Sequence, residues 1–105
     1  MDLRGKKLGV LISCPPEAPG FHHGLRMAEA AIKRGVSVYL YCIDEAVKGV
    51  GSAELQKLKT SGLNLYACAY GAHKRNIALS ADATFAGLTV VNDLMVSTDR
   101  FVAFN

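Results

Sequence analysis

Three cysteines stand where short apolar segments of this chain stop. The segments cover residues 7–14, 36–42 and 63–68, and their last residues are Cys14, Cys42 and Cys68. If the segments are parallel strands of one sheet, the three thiols lie along its carboxyl edge, where open α/β sheets bind ligands. A cysteine thiolate is a nucleophile. The cysteines are therefore the first candidates for a functional site.

Cys68 is the strongest of the three candidates. It is predicted at the junction of a strand and the next helix, where unpaired backbone N–H groups and the helix dipole favour a negative charge. His73, Lys74 and Arg75 follow within two turns and add positive potential. A stabilised thiolate at Cys68 would serve as a nucleophile and as a persulfide carrier. A free cysteine can also be a small buried apolar residue, and this alternative stays open.

Cys14 and Cys42 close segments that should be central and dry strands, so packing roles are expected for both. Neighbouring strands lie ~4.8 Å apart, which is close enough for thiols at their ends to meet in a disulfide or to act as a resolving pair.

His22 and His23 are predicted in the loop after the first strand, on the same edge. Zinc accepts such cysteine and histidine ligands. Exposed loop histidines are the favoured interpretation, because the sequence contains no close C-x-x-C pair.

Length, composition and charge limit the class of protein. The 105 residues are half hydrophobic and carry a net charge of +3, which is typical of a single globular domain over residues 1–105. The basic residues are scattered among acidic ones, so nucleic-acid binding is not expected. No apolar run reaches the about 20 residues that span a membrane. An odd number of cysteines without a secretion signal indicates reduced thiols in the cytoplasm.

The apolar pattern alternates between strand-like and helix-like periods, which predicts an α/β protein with a mostly parallel sheet. Strands are expected at residues 7–13, 36–42, 63–67, 87–91 and 100–104. Helical segments are expected at residues 21–34, 44–50, 52–61, 70–75 and 92–96. Ser52 is predicted to cap its helix, and Asn76 is predicted to end the helix after Cys68 in a left-handed conformation.

The segment from Leu65 to Ile77 resembles the active-cysteine region of the DsrE/DsrF/TusD family of small sulfur-relay proteins. In that family a cysteine follows the third strand, and a basic residue, a glycine and an aliphatic residue close the next helix. Arg75 and Ile77 match this pattern, whereas Asn76 stands where glycine is usual.

The resemblance extends over nearly the whole chain. The proline-containing loop after the first strand, Asp44 after the second strand and the final Asp99-Arg100 all agree with the family pattern. The chain has Cys42-Ile43 where relatives have a small residue and a glycine, a difference that would change the shape of the pocket.

The resemblance implies a DsrEFH-like three-layer fold, with a five-stranded mostly parallel sheet, helices on both faces, and assembly as a homotrimer or a hexamer. It also implies that Cys68 accepts sulfane sulfur from a donor protein and passes it to an acceptor thiol, without metal or organic cofactor. Whether the chain is an enzyme, a persulfide sulfurtransferase, stays open. The alternative is a non-catalytic binding or assembly subunit in which Cys68 is structural. The side chains expected to line a pocket near Cys68 are those of Cys14, His22, His23, Cys42, Asp44, His73 and Arg75.

Overall fold

Five strands form one sheet in the computed structural model, which describes residues 2–105. They are β1 (Lys7–Ile12), β2 (Ser37–Cys42), β3 (Asn64–Cys68), β4 (Thr84–Ala86) and β5 (Arg100–Phe104). Their order across the sheet is β4-β3-β2-β1-β5, and every neighbouring pair is parallel. The predicted α/β fold with five strands is confirmed, and the sheet is wholly rather than mostly parallel.

The helices between the strands are α1 (Pro19–Lys33), α2 (Ala53–Thr60), α3 (Ala69–Lys74) and α4 (Thr89–Ser97), with a 3₁₀ turn at Asp44–Gly49 before α2. α1 begins two residues earlier than predicted. Its first residue is Pro19. Proline suits this position because the first N–H group of a helix has no partner within the helix, and proline lacks that N–H.

Two predicted helix ends are confirmed in detail. The Ser52 hydroxyl accepts a hydrogen bond from the N–H of Leu55 at 3.3 Å and so caps α2. Asn76 follows α3 with a φ of 56°, the left-handed conformation that asparagine tolerates. The short α3 therefore has a defined start and stop.

Side chains along each strand point alternately to the two faces of the sheet, and each face has its own buried cluster. One cluster contains Val10, Ile12, Leu40 and Ala67, and α1 and α2 pack on it through residues such as Leu25 and Leu55. The other contains Tyr41 and Cys68, with Ala72 of α3 and Leu94 of α4. Because successive residues of a strand point to opposite faces, Tyr41 and Cys42 belong to different clusters.

The predicted fourth strand at residues 87–91 is wrong. The strand is Thr84–Ala86, and residues 89–97 form α4 instead. The β-branched residues Thr89, Val90 and Val91 favour a strand by propensity, but tertiary packing overrides this weak preference. Val90, Val91 and Leu94 pack against the cluster that contains Cys68, and their spacing of three to four residues is that of a helix face.

Candidate functional site

Cys68 is the last residue of β3 and the N-cap residue of α3. Its Sγ accepts a hydrogen bond from the backbone N–H of Gly71 at 3.3 Å. The sulfur thus occupies the position that a serine or aspartate oxygen usually takes at a helix start. Only 4% of the Cys68 surface is exposed, because Tyr41, Val47, Ala72 and Leu94 pack in the same cluster.

Tyr41 is a member of this site that the sequence did not single out. Its ring is fully buried, and its hydroxyl donates a hydrogen bond to the backbone oxygen of Ala86 at 2.9 Å. Burial raises the pKa of the Tyr41 hydroxyl, and the neighbouring Cys68 side chain raises it further. Tyr39 stands two residues earlier on the same strand, so the sequence pattern alone could not distinguish the two tyrosines.

Arg75 connects α3 to the 3₁₀ turn. Its guanidinium donates from Nη1 to the backbone oxygen of Gly71 at 3.2 Å and from Nε to the carboxylate of Glu45 at 2.5 Å. Glu45 also accepts a hydrogen bond from Lys48 at 2.9 Å. The contacts with Arg75 and then Lys48 hold the pKa of Glu45 below its ordinary value. Glu45 was not a predicted site residue, because its contact with Arg75 spans thirty positions of the sequence.

Cys14 and Cys42 lie on the other face of the sheet, in the cluster covered by α1 and α2. Cys42 is fully buried, and this burial raises its thiol pKa to about 12, with a smaller contribution from nearby Cys14. The cysteines share a carboxyl edge, as the sequence indicated. The sheet itself, however, separates Cys14 and Cys42 from Cys68, so the structure does not bring the three thiols together in one pocket.

The remaining predicted pocket residues are mostly exposed. His22 and His23 belong to the first turns of α1 rather than to a loop, and His22 Nδ1 lies 3.8 Å from a Glu54 carboxylate oxygen. Asp44 is exposed with a φ of 53°, and His73 is exposed on α3. Of the predicted set around Cys68, His73 is part of α3 itself, and Arg75 donates a side-chain hydrogen bond to that helix.

Two properties of residues 2–105 concern metal binding and membrane crossing. Over this range, no three histidine, cysteine, aspartate or glutamate side chains are grouped so that they could hold a metal ion. None of the helices in the described part of the chain has the length and apolar character needed to cross a membrane.

The parallel five-stranded sheet, with helices on both faces and a cysteine at a strand–helix junction, defines an open α/β protein. The chain belongs to the DsrE/DsrF-like family, whose sequence model matches residues 6–104. The crystal structure of the YchN protein from E. coli has a similar fold, with a TM-score of 0.79 and 16% sequence identity over 94% of this chain and 98% of that chain. No curated protein matches the sequence.

We expect the contact between Arg75 and Glu45 to limit how fast an alkylating reagent reaches the Cys68 thiol. Replacing Glu45 by glutamine removes the charge that holds Arg75, so α3 should separate more often from the 3₁₀ turn. We expect the alkylation rate of Cys68 to rise about two- to fivefold, the size of effect typical of a partly exposed ion pair. Peptide-resolved mass spectrometry after timed alkylation measures this rate for each cysteine separately.

Lys48→Gln is the matched control, since it removes the other partner of Glu45 and leaves the Arg75 contact in place. Because the pKa of Glu45 is lowered by its partners, the ion pair is formed at neutral pH and is lost as the pH falls through that lowered value. The ratio of the Glu45→Gln rate to the wild-type rate should therefore approach one in acid. Equal rates for Glu45→Gln and Lys48→Gln at neutral pH would contradict the prediction.

Proposed function

We propose that this chain carries sulfane sulfur as a persulfide on Cys68 and passes it to an acceptor thiol. The observation that supports this best is the hydrogen bond from the Gly71 N–H to the Cys68 sulfur at the start of α3. A backbone donor aimed at the sulfur stabilises a negative charge on it. Membership of the DsrE/DsrF-like family supports the same reaction class.

The proposed reaction is an exchange at sulfur. The Cys68 thiolate attacks the outer sulfur of a persulfide on the donor protein and forms a new S–S bond. The S–S bond of the donor breaks, its electron pair stays on the donor cysteine, and that thiolate takes up a proton. Cys68 then carries the persulfide, and an acceptor thiolate removes its outer sulfur in the same way. Each step is thiolate attack on a divalent sulfur, so no separate oxidant or reductant is consumed.

Access to Cys68 requires movement, because only 4% of its surface is exposed. The structure offers one short element that could move. α3 has six residues, and a partly exposed ion pair between Arg75 and Glu45 connects it to the 3₁₀ turn. Local opening of such weakly held elements is common and costs much less than global unfolding. We infer that α3 lifts to let a donor or acceptor cysteine reach the sulfur.

The burial of Cys68 also favours a second candidate function. In this alternative the chain is a non-catalytic binding or assembly subunit, and Cys68 only caps α3 and fills the cluster beneath α4. The two candidates differ in whether Cys68 reacts in the folded protein. Both candidate functions allow sulfur donor and acceptor proteins as partners. A carrier would exchange sulfur with them, and a structural subunit would hold catalytic subunits in the same assembly.

A homotrimer or hexamer is the assembly that we propose for either function. Large apolar side chains are exposed on α4 and at its N-cap, where a second copy would cover them: Leu88, Met95 and Val96. Exposed apolar groups on one element are typical of protein contacts.

The persulfide experiment separates the two candidate functions. The protein is incubated with a persulfide donor, and its intact mass is measured before and after reduction. We expect a gain of one sulfur atom that is removed by reductant, persists in Cys14→Ser and is abolished in Cys68→Ser. Cys14 is the matched control because it is a nearly buried cysteine on the other face of the sheet. A wild-type protein that gains no sulfur, or a Cys68→Ser variant that still gains it, contradicts the proposal.

A further inference from the structure

The side chain of Tyr41 reaches across a neighbouring strand to the position of Cys68. Tyr41 belongs to β2, and its hydroxyl donates to the backbone oxygen of Ala86 on β4, so its ring spans the intervening β3. Ala86 is the register partner of Cys68 in the pairing of β3 with β4. The hydrogen bond of Tyr41 therefore ends beside the residue that carries the thiol.

Register and burial place the two side chains on one face. Tyr41 pairs with Tyr66, and Cys68 lies two residues beyond Tyr66 on the same side of β3. Tyr41 and Cys68 are both members of the buried cluster beneath α3 and α4. The contribution of Cys68 to the raised pKa of Tyr41 agrees with this placement.

We propose that Tyr41 is a hydrogen-bonding residue of the sulfur site, whose hydroxyl turns from the Ala86 oxygen to the Cys68 sulfur when that sulfur becomes negatively charged. The Tyr41 hydroxyl has one proton to donate, and a thiolate or persulfide anion is a stronger acceptor than a neutral carbonyl. The raised pKa of Tyr41 keeps this proton on its oxygen, so Tyr41 acts as a donor and not as a base. Ala86 is only partly buried, so water can replace the hydroxyl at its carbonyl.

The charged sulfur then receives two donors, the Gly71 N–H and the Tyr41 hydroxyl. On the face of the sheet that carries Cys68, the other titratable groups of the surrounding elements are partly or largely exposed: Tyr39, Asp44, Glu45, Lys48, Tyr66, Tyr70, His73, Lys74, Arg75 and Asp93. Their interactions with Cys68 are screened by water to a greater extent. Among the residues that the structure describes, Tyr41 is the titratable neighbour of Cys68 in this cluster whose side chain is fully buried.

The pH dependence of Cys68 alkylation tests the role of Tyr41. In Tyr41→Phe we expect the rate at neutral pH to fall about tenfold, the effect of losing one hydrogen bond to a charged group. The limiting rate at high pH should not fall, because the fully formed thiolate remains equally accessible and is no less nucleophilic without the donor. Tyr39→Phe removes a hydroxyl from the same face of the same strand and should change neither rate. The proposal is overturned if Tyr41→Phe keeps the neutral rate, or if it lowers the rate equally at every pH.

A measurement on the native protein keeps the test independent of how well Tyr41→Phe folds. The protein is labelled with ¹³C at the ζ carbon of its four tyrosines, and the Tyr39, Tyr66 and Tyr70 signals are assigned with single phenylalanine variants. The remaining signal, from Tyr41, should shift in step with the ultraviolet absorbance of thiolate formation, and this shift should disappear in Cys68→Ala. A Tyr41 signal that stays constant while Cys68 ionises overturns the proposal.

These measurements deepen the proposed persulfide function without depending on it. Alkylation and titration use no sulfur donor, so a protein that fails to load sulfur still gives a readable result for Tyr41. Failure of the Tyr41 tests with successful sulfur loading on Cys68 would in turn leave the carrier function standing. The two proposals can therefore fail separately.

Discussion

Cys42 in the native protein should react with a small alkylating reagent about a thousandfold more slowly than an ordinary thiol at neutral pH, because the thiolate fraction changes tenfold for each pH unit. Burial raises the pKa of this thiol from an ordinary 9.0 to about 12. Only the thiolate is nucleophilic, and a raised pKa leaves the neutral thiol dominant at every pH below that value. Full burial of the Cys42 side chain slows the reaction further.

Timed alkylation followed by peptide-resolved mass spectrometry measures this difference. Cys14 is the internal comparison, because it lies on the same face of the sheet but keeps some surface exposure. In denaturant all three cysteines should react at similar rates, which shows that the native difference comes from folding. Labelling of native Cys42 as fast as Cys14 would show that the core around β2 opens readily, contrary to this prediction.

The raised pKa of the Cys42 thiol also makes the free energy of unfolding depend on pH. In the unfolded chain Cys42 loses its proton near the ordinary value of 9.0, whereas the folded protein holds that proton up to about 12. The folded state therefore binds more protons between these values, and the free energy of unfolding falls as the pH rises through this range. Below pH 9 the contribution of Cys42 is fully present.

Much of the fold follows from the sequence because strong local signals agree with long-range packing. The segments that end in cysteine are continuous apolar runs bounded by turn residues, and they became β1, β2 and β3 with boundaries shifted by one or two residues. Ser52 begins α2 and Asn76 follows the end of α3 as predicted, since capping and left-handed turns depend on single residues. Such features need no knowledge of distant contacts.

The face on which each cysteine lies could not be predicted. Alternation shows that Tyr41 and Cys42 point to opposite faces, but it does not say which of them shares a face with Cys68. That depends on the register of β3 against β2, in which Cys42 pairs with Ala67. A shift of one residue would have placed Cys68 with Cys42 and made a two-thiol site. Register is set by the packing of the whole sheet, so the division into two clusters became visible only in three dimensions.

Charging α4 should dissociate the assembly that we propose for this protein. Val96 is 80% exposed and Met95 is 58% exposed, both near the end of α4. In Val96→Asp an unpaired carboxylate would be buried between copies, at a cost of several kcal/mol, which raises the dissociation constant at least about a hundredfold. Light scattering after size-exclusion chromatography, over a range of protein concentrations, should show a trimer or hexamer for the wild type and smaller species for the variant.

Met27→Asp is the matched control for this change. Met27 is 40% exposed on α1, which covers the opposite face of the sheet, so the same added charge should leave the assembly intact. A monomeric wild type, or equal dissociation by both variants, would contradict a contact through α4. The contact also has a consequence for the sulfur site, because Leu94 of the same helix packs in the cluster of Cys68. If copies meet on α4, then loss of the assembly in Val96→Asp should loosen α4 over Cys68 and raise its alkylation rate, whereas Met27→Asp should not.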